Sequence, residues 1–209
     1  MSAPGSPSRS ACNGDTVTLR ARLGRALANH AAAWCVLLRR RDWALGWYRR
    51  MLELDPHDTL ALASLGFHHA QAGEYQVALA LFERVVAIAP SDAEGHFNRA
   101  FLCQRLGDHD AAIGAFRRAL ELKPGHDRAH YGLALSLIAT GRLDQAVAPL
   151  RENTKLQPMS PYGWYQLARV QRDRGHPAET QRILDHLMTF EPAIARQLER
   201  ETGLRVTRR

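Results

Sequence analysis

Proline and glycine recur in this chain at one fixed step. Pro56, Pro90, Pro124, Pro158 and Pro192 lie 34 residues apart, and Gly73, Gly107, Gly141 and Gly175 keep the same step. Two interleaved ladders in one register restrict the chain to a stacked array of a single supersecondary unit. Each residue type has a mechanical role. Glycine enters the left-handed conformation that ends a helix without steric cost. Proline cannot continue the helix that precedes it. Between them the apolar spacing is helical: Phe97, Ala100, Phe101 and Cys103 run along one segment, and Ile113, Phe116, Ala119 and Leu120 along the next. Ser91 and Glu94 have the spacing of a capping box. The pattern predicts an all-α chain, with first helices near 59–72, 93–106, 127–140 and 161–174. Second helices are expected near 75–88, 109–122, 143–156 and 177–190.

These residues resemble the tetratricopeptide repeat family. In the first clear unit Leu62, Leu65-Gly66, Ala78, Phe82 and Pro90 follow its pattern. Ala100, Gly107, Ala112, Phe116, Ala119 and Pro124 follow it next. Leu133-Ala134, Gly141, Ala146, Leu150 and Pro158 come third, then Trp164, Leu167-Ala168, Gly175, Leu184 and Pro192. The resemblance implies a right-handed α-solenoid of antiparallel helix pairs, with four repeats at 57–90, 91–124, 125–158 and 159–192. Residues 17–56 read as a degenerate, basic N-terminal repeat, because Arg39 stands where the glycine belongs. Residues 1–16, rich in Ser, Pro, Gly and Ala, read as a flexible tail. Residues 193–209 read as a cap helix ended by Gly203, with a basic tail. Pro149 falls inside a second helix, where an uncompensated proline costs about 3 kcal/mol and predicts a kink near 145–148. Thr180 replaces a small Ala and predicts looser packing in the last unit.

Charge is unevenly placed. The first fifty residues carry nine Arg against two Asp, so the net charge of +7 belongs to the N-terminal approach. Lysine occurs only as Lys123 and Lys155, and this arginine preference suggests a GC-rich bacterial genome. No stretch reaches the roughly 20 apolar residues of a membrane span. The first residues lack a secretory h-region. A cytoplasmic protein is expected. Three Cys in a Cys-poor chain imply no disulfide framework, and Cys35 and Cys103 are expected to be buried.

Chemistry-bearing motifs are scarce. The chain has no nucleophile elbow, phosphate-binding loop, dinucleotide fingerprint or metalloprotease motif. Asp108-His109-Asp110 falls on an inter-helix turn. His68-His69, His126 and His130 lack zinc-ligand spacing. No enzyme activity, cofactor or metal is expected.

What remains is the inner face of the first helices. In the family frame it carries Phe67, Phe97, Asn98, Phe101, Gln104, Arg105, Arg128, Tyr131, Tyr162, Tyr165, Gln166 and Arg169. Aromatic and Arg side chains dominate binding hot spots. These residues are expected to form a groove for a peptide or helix of a partner protein; the competing reading is that curvature of the array buries several of them. Some relatives grip a C-terminal carboxylate through a Lys/Asn/Arg clamp. Asn98 and Arg128 occupy two such positions here, but Ala63, Phe67 and Gly132 replace the others, so that mode is not expected. The expected function is a non-enzymatic scaffold or adaptor. The alternative is a regulatory subunit docking to nucleic acid or an anionic surface through its basic N-terminal helix, where Arg39–Arg41 lie beside Trp34, Trp43 and Trp47.

Overall fold

The computed structural model describes residues 23–24, 26–32, 34–35 and 40–207. The expected tail, residues 1–16, lies outside them. The chain divides into two compact units, residues 1–88 and 89–209. In the N-terminal unit the described residues between 23 and 35 are helical, followed by α1 (Arg41–Leu54), α2 (Thr59–Gln71) and α3 (Tyr75–Ile88). The C-terminal unit holds α4 (Ala93–Arg105), α5 (His109–Leu122), α6 (Asp127–Ala139), α7 (Leu143–Leu156), α8 (Pro161–Asp173), α9 (Pro177–Phe190) and α10 (Pro192–Thr202). Within each unit successive helices pair and stack, each second helix packing on the next first helix. The architecture is an α-solenoid.

The glycine ladder does the work expected of it. Gly73, Gly107, Gly141 and Gly175 have φ of 81°, 85°, 73° and 75°. The residue after each donates its N–H back to the closing turn: Glu74 to His69, Asp108 to Cys103, Arg142 to Leu137 and His176 to Gln171, all at 2.8–2.9 Å. This bond satisfies a helix-end carbonyl and reverses the chain within two residues. At helix starts Asp58 and Asp108 accept from the N–H of Ala61 and Ala111 at 3.0 Å. The start of α4 differs from expectation. Asp92, not Ser91, is the cap, accepting from Glu94 N–H at 3.1 Å. Glu94 is thereby free to reach other helices.

The core repeats in register. Ala78, Ala112 and Ala146 are fully buried, as are Ala100, Ala134 and Ala168, while Phe82, Phe116, Leu150 and Leu184 fill the space between helices. Small residues at these sites let backbones approach closely. A Cβ added to Gly132 would collide with the Phe116 ring, and one added to Gly66 would lie 2.7 Å from the Phe82 ring. Thr180 packs better than expected: it is fully buried, and its hydroxyl donates to His176 O at 3.1 Å. An internal partner removes the cost of burying a hydroxyl there. α7 runs without interruption from Leu143 to Leu156, with Pro149 buried inside it. Cys103 is buried and Cys35 partly exposed.

A second periodic device joins the repeats. His96, His130 and Trp164 stand 34 residues apart. The ring nitrogen of each donates to the carbonyl of the preceding Pro90, Pro124 or Pro158, at 3.0, 2.8 and 2.9 Å. In the N-terminal unit the equivalent residue is Leu62, which has no donor; there Arg84 donates to Pro56 O at 2.8 Å.

Candidate functional site

The C-terminal unit brings together the first helices α4, α6 and α8, which carry eleven of the twelve expected groove residues. Phe67 belongs to the N-terminal unit, on α2, where it is exposed. The eleven divide into side chains committed to packing or to one another and side chains left open.

Phe97 is committed. It is only 8 % exposed, and its ring lies 6.0 Å from Phe116 and stacks at 4.6 Å on His126. Expected as groove lining, it is a core residue, because the loop entering α6 sets His126 over it. Its outer side is covered by Arg128, whose guanidinium sits 4.8 Å from the ring centroid. Gln104 is committed as well. Its amide donates to Gly132 O at 3.0 Å and to Ser136 Oγ at 2.8 Å, tying α4 to α6.

Tyr165 and Arg169 face the cap helix α10. Tyr165 donates its hydroxyl to Glu201 at 2.6 Å and accepts from Gln197 at 3.1 Å. Arg169 lies 3.9 Å from Glu201 and 5.7 Å from the Tyr165 ring, and Arg172 donates to Glu201 O at 3.3 Å. Burial, and then the Glu201 carboxylate, push the Tyr165 phenol above its ordinary value. Hydrogen bonds from Tyr165 and Gln197 hold Glu201 below its own. Tyr131 and Gln166 form a similar pair; burial raises the phenol, and the bond to Gln166 opposes that shift.

The open side chains are Phe101, 38 % exposed on α4, and Tyr162, 65 % exposed on α8. Between them on α6 stands the exposed Arg128, with Asn98 half-buried and Arg105 at the surface. Glu94 anchors one end. It accepts from Lys123 at 3.0 Å and lies 3.3 Å from His126 Nε2 and 3.9 Å from Arg128. Burial works against ionisation of Glu94, but the Lys123 hydrogen bond and the charges of His126 and Lys123 outweigh it and lower its pKa. Sequence reasoning missed this cluster and the role of α10. The frame held a signal for the second: one 34-residue step beyond Tyr165 falls on Glu199, inside α10.

Among the described residues no three His, Cys, Asp or Glu side chains are gathered to hold a metal ion, and no helix is long and apolar enough to cross a membrane. The open set suits recognition: the exposed rings of Phe101 and Tyr162 lie on the helices either side of α6, whose Arg128 guanidinium is held by its stack on Phe97.

Profiles of the tetratricopeptide repeat match residues 58–125, 105–164 and 161–186. The chain belongs to the tetratricopeptide repeat family. No curated protein matches its sequence. Among solved structures it is similar to a MamA protein (TM-score 0.74, 17% identity, covering 88% of this chain and 98% of that one). It is also similar to YrrB, described as a tetratricopeptide repeat protein with an unusual peptide-binding site (TM-score 0.72, 19% identity, 81% and 88% covered). A MamA fragment from Desulfovibrio magneticus RS-1 gives a TM-score of 0.71 at 18% identity, with 87% and 98% covered. At these identities the likeness is one of fold.

Proposed function

We propose that the chain is a non-enzymatic adaptor, acting in the cytoplasm, whose C-terminal unit receives a peptide or helix of a partner protein across α4, α6 and α8. One observation carries this reading. Phe101, Arg128 and Tyr162 stay exposed on three consecutive first helices, while polar neighbours such as Gln104 and Tyr165 are tied internally. Large side chains held open on a rigid frame give affinity at low ordering cost. The peptide-binding site named for YrrB supports the reading by analogy of fold. The partner segment would present an apolar side chain to Phe101 or Tyr162 and an acceptor to Arg128.

The test is affinity capture from the native cell with crosslinking, comparing wild type with Phe101→Ala/Tyr162→Ala. Phe101 and Tyr162 can be changed with little effect on folding, since their rings are exposed, whereas Arg128→Ala also uncovers Phe97 and needs its melting temperature measured alongside. Loss of a specific crosslinked protein, with helicity unchanged, is the expected result. Undiminished capture by the double variant and by Arg128→Ala would refute this site.

A further inference from the structure

A helix of such an array that meets water on its outer face is expected to carry polar residues there. This chain does the opposite. In the described helical residues between 23 and 35, Ala28 and Ala32 face the interior and are buried. The opposite side carries Leu23, Leu27 and Trp34 at helical spacing, with Leu27 69 % and Trp34 63 % exposed. α1 continues the theme. Trp43, 66 % exposed, and Trp47 lie one turn apart and flank an open hollow above Gly46, closed at its end by Arg50. The Arg40 guanidinium sits 5.8 Å from the Trp43 ring centroid.

Something must cover these stripes, and charge decides among the occupants. Residues 1–22, mostly Ser, Ala, Gly, Pro and Arg, offer too little apolar surface. A second copy would carry the same net charge of +7 in its first fifty residues. The occupant must therefore be anionic and must also accept aliphatic side chains. Nucleic acid meets only the first condition, since bases stack on tryptophan but gain little from Leu23 and Leu27. A bilayer bearing anionic headgroups meets both: leucine enters the acyl boundary, tryptophan sits at headgroup level, and arginine pairs with lipid phosphate.

We infer that the N-terminal unit docks the chain onto an anionic membrane surface through the Leu27–Trp34 and Trp43–Trp47 stripes and the arginines beside them. This goes beyond the adaptor reading and rests on the other unit.

The experiment is flotation of the full chain with phosphatidylcholine vesicles containing phosphatidylglycerol, against phosphatidylcholine alone. Preferential flotation with the anionic vesicles is expected, weakening as salt rises. Each arginine near the surface contributes roughly fivefold in affinity, so Arg40→Gln, which removes the guanidinium beside Trp43, should cost roughly fivefold. Leu27→Ser/Trp34→Ser should cost roughly tenfold or more, with the circular dichroism spectrum unchanged. Should that variant misfold, tryptophan emission decides: wild type should shift to the blue on anionic vesicles. A chain carrying Trp34→Phe, Trp43→Phe and Trp47→Phe keeps only Trp164, in the other unit, and should not shift. Absence of flotation, equal flotation with both vesicles, or tighter binding to duplex DNA than to anionic vesicles would overturn the inference. Phe101→Ala/Tyr162→Ala should leave flotation unchanged, which separates this test from that of the peptide groove.

Discussion

Gly132 and Gly114 both sit inside helices, in α6 and α5, yet the same substitution should move stability in opposite directions. In a helix interior Ala is favoured over Gly by about 1 kcal/mol. At Gly114 nothing lies within 4 Å of an added Cβ, so Gly114→Ala should realise most of that gain. At Gly132 the new Cβ would lie 2.7 Å from Phe116 Cε1 and 3.0 Å from Cε2, closer still to Cζ. Phe116 is 1% exposed and has no room to retreat. Overpacking a core of this kind costs about 1–3 kcal/mol, and so deep an overlap belongs at the upper end. The net expectation for Gly132→Ala is a loss of about 1–2 kcal/mol, placing the two variants about 2–3 kcal/mol apart. Urea unfolding followed by far-UV circular dichroism reads this as opposite midpoint shifts at a common slope. Replacing Phe116 by Leu removes the ring atoms that collide, so Gly132→Ala should cost much less in that background, a coupling of about 1 kcal/mol or more. If both glycine variants shifted the midpoint the same way, or if the Phe116→Leu background changed nothing, helix packing through this contact would be refuted.

Two further outcomes follow from named contacts. Because the folded pKa of Glu94 is lowered below its ordinary 4.5, its contribution is complete above that pH and is lost as pH falls through the folded value. Thermal melts of wild type and Glu94→Gln should therefore differ at neutral pH and converge in acid; a pH-independent difference would disprove the ionic origin. Trp164→Phe keeps the ring but leaves Pro158 O without its donor, and should cost about 1 kcal/mol in urea unfolding. A neutral result would mean that water replaces the indole there.

The frame was legible because its signals are local. The left-handed residue after each first helix is dictated by steric strain within a single residue, so the glycines fixed the hairpins without knowledge of any neighbour. Side-chain commitments were not legible on the same terms. Ser91 reads as the cap until the backbone geometry gives that place to Asp92. Phe97 reads as groove lining until the next repeat sets His126 against it. Thr180 reads as a packing fault until its hydroxyl finds a carbonyl one turn back. Tyr165 and Arg169 read as open until α10 supplies Glu201. These outcomes depend on where particular atoms come to lie, for Phe97, Tyr165 and Arg169 atoms of another helix or turn, which periodicity does not locate.

The ring-to-carbonyl joints at His96, His130 and Trp164 have an evolutionary consequence. Donor and acceptor are six residues apart, so the whole joint is written in one short stretch that includes the closing proline. Duplicating or deleting a 34-residue block in this half of the gene carries a complete joint with it. The Pro56 joint has no such portability, because its donor, Arg84, lies 28 residues downstream. The joints between residues 90 and 164 are thus each self-contained in sequence, whereas the Pro56 joint is divided between two distant stretches.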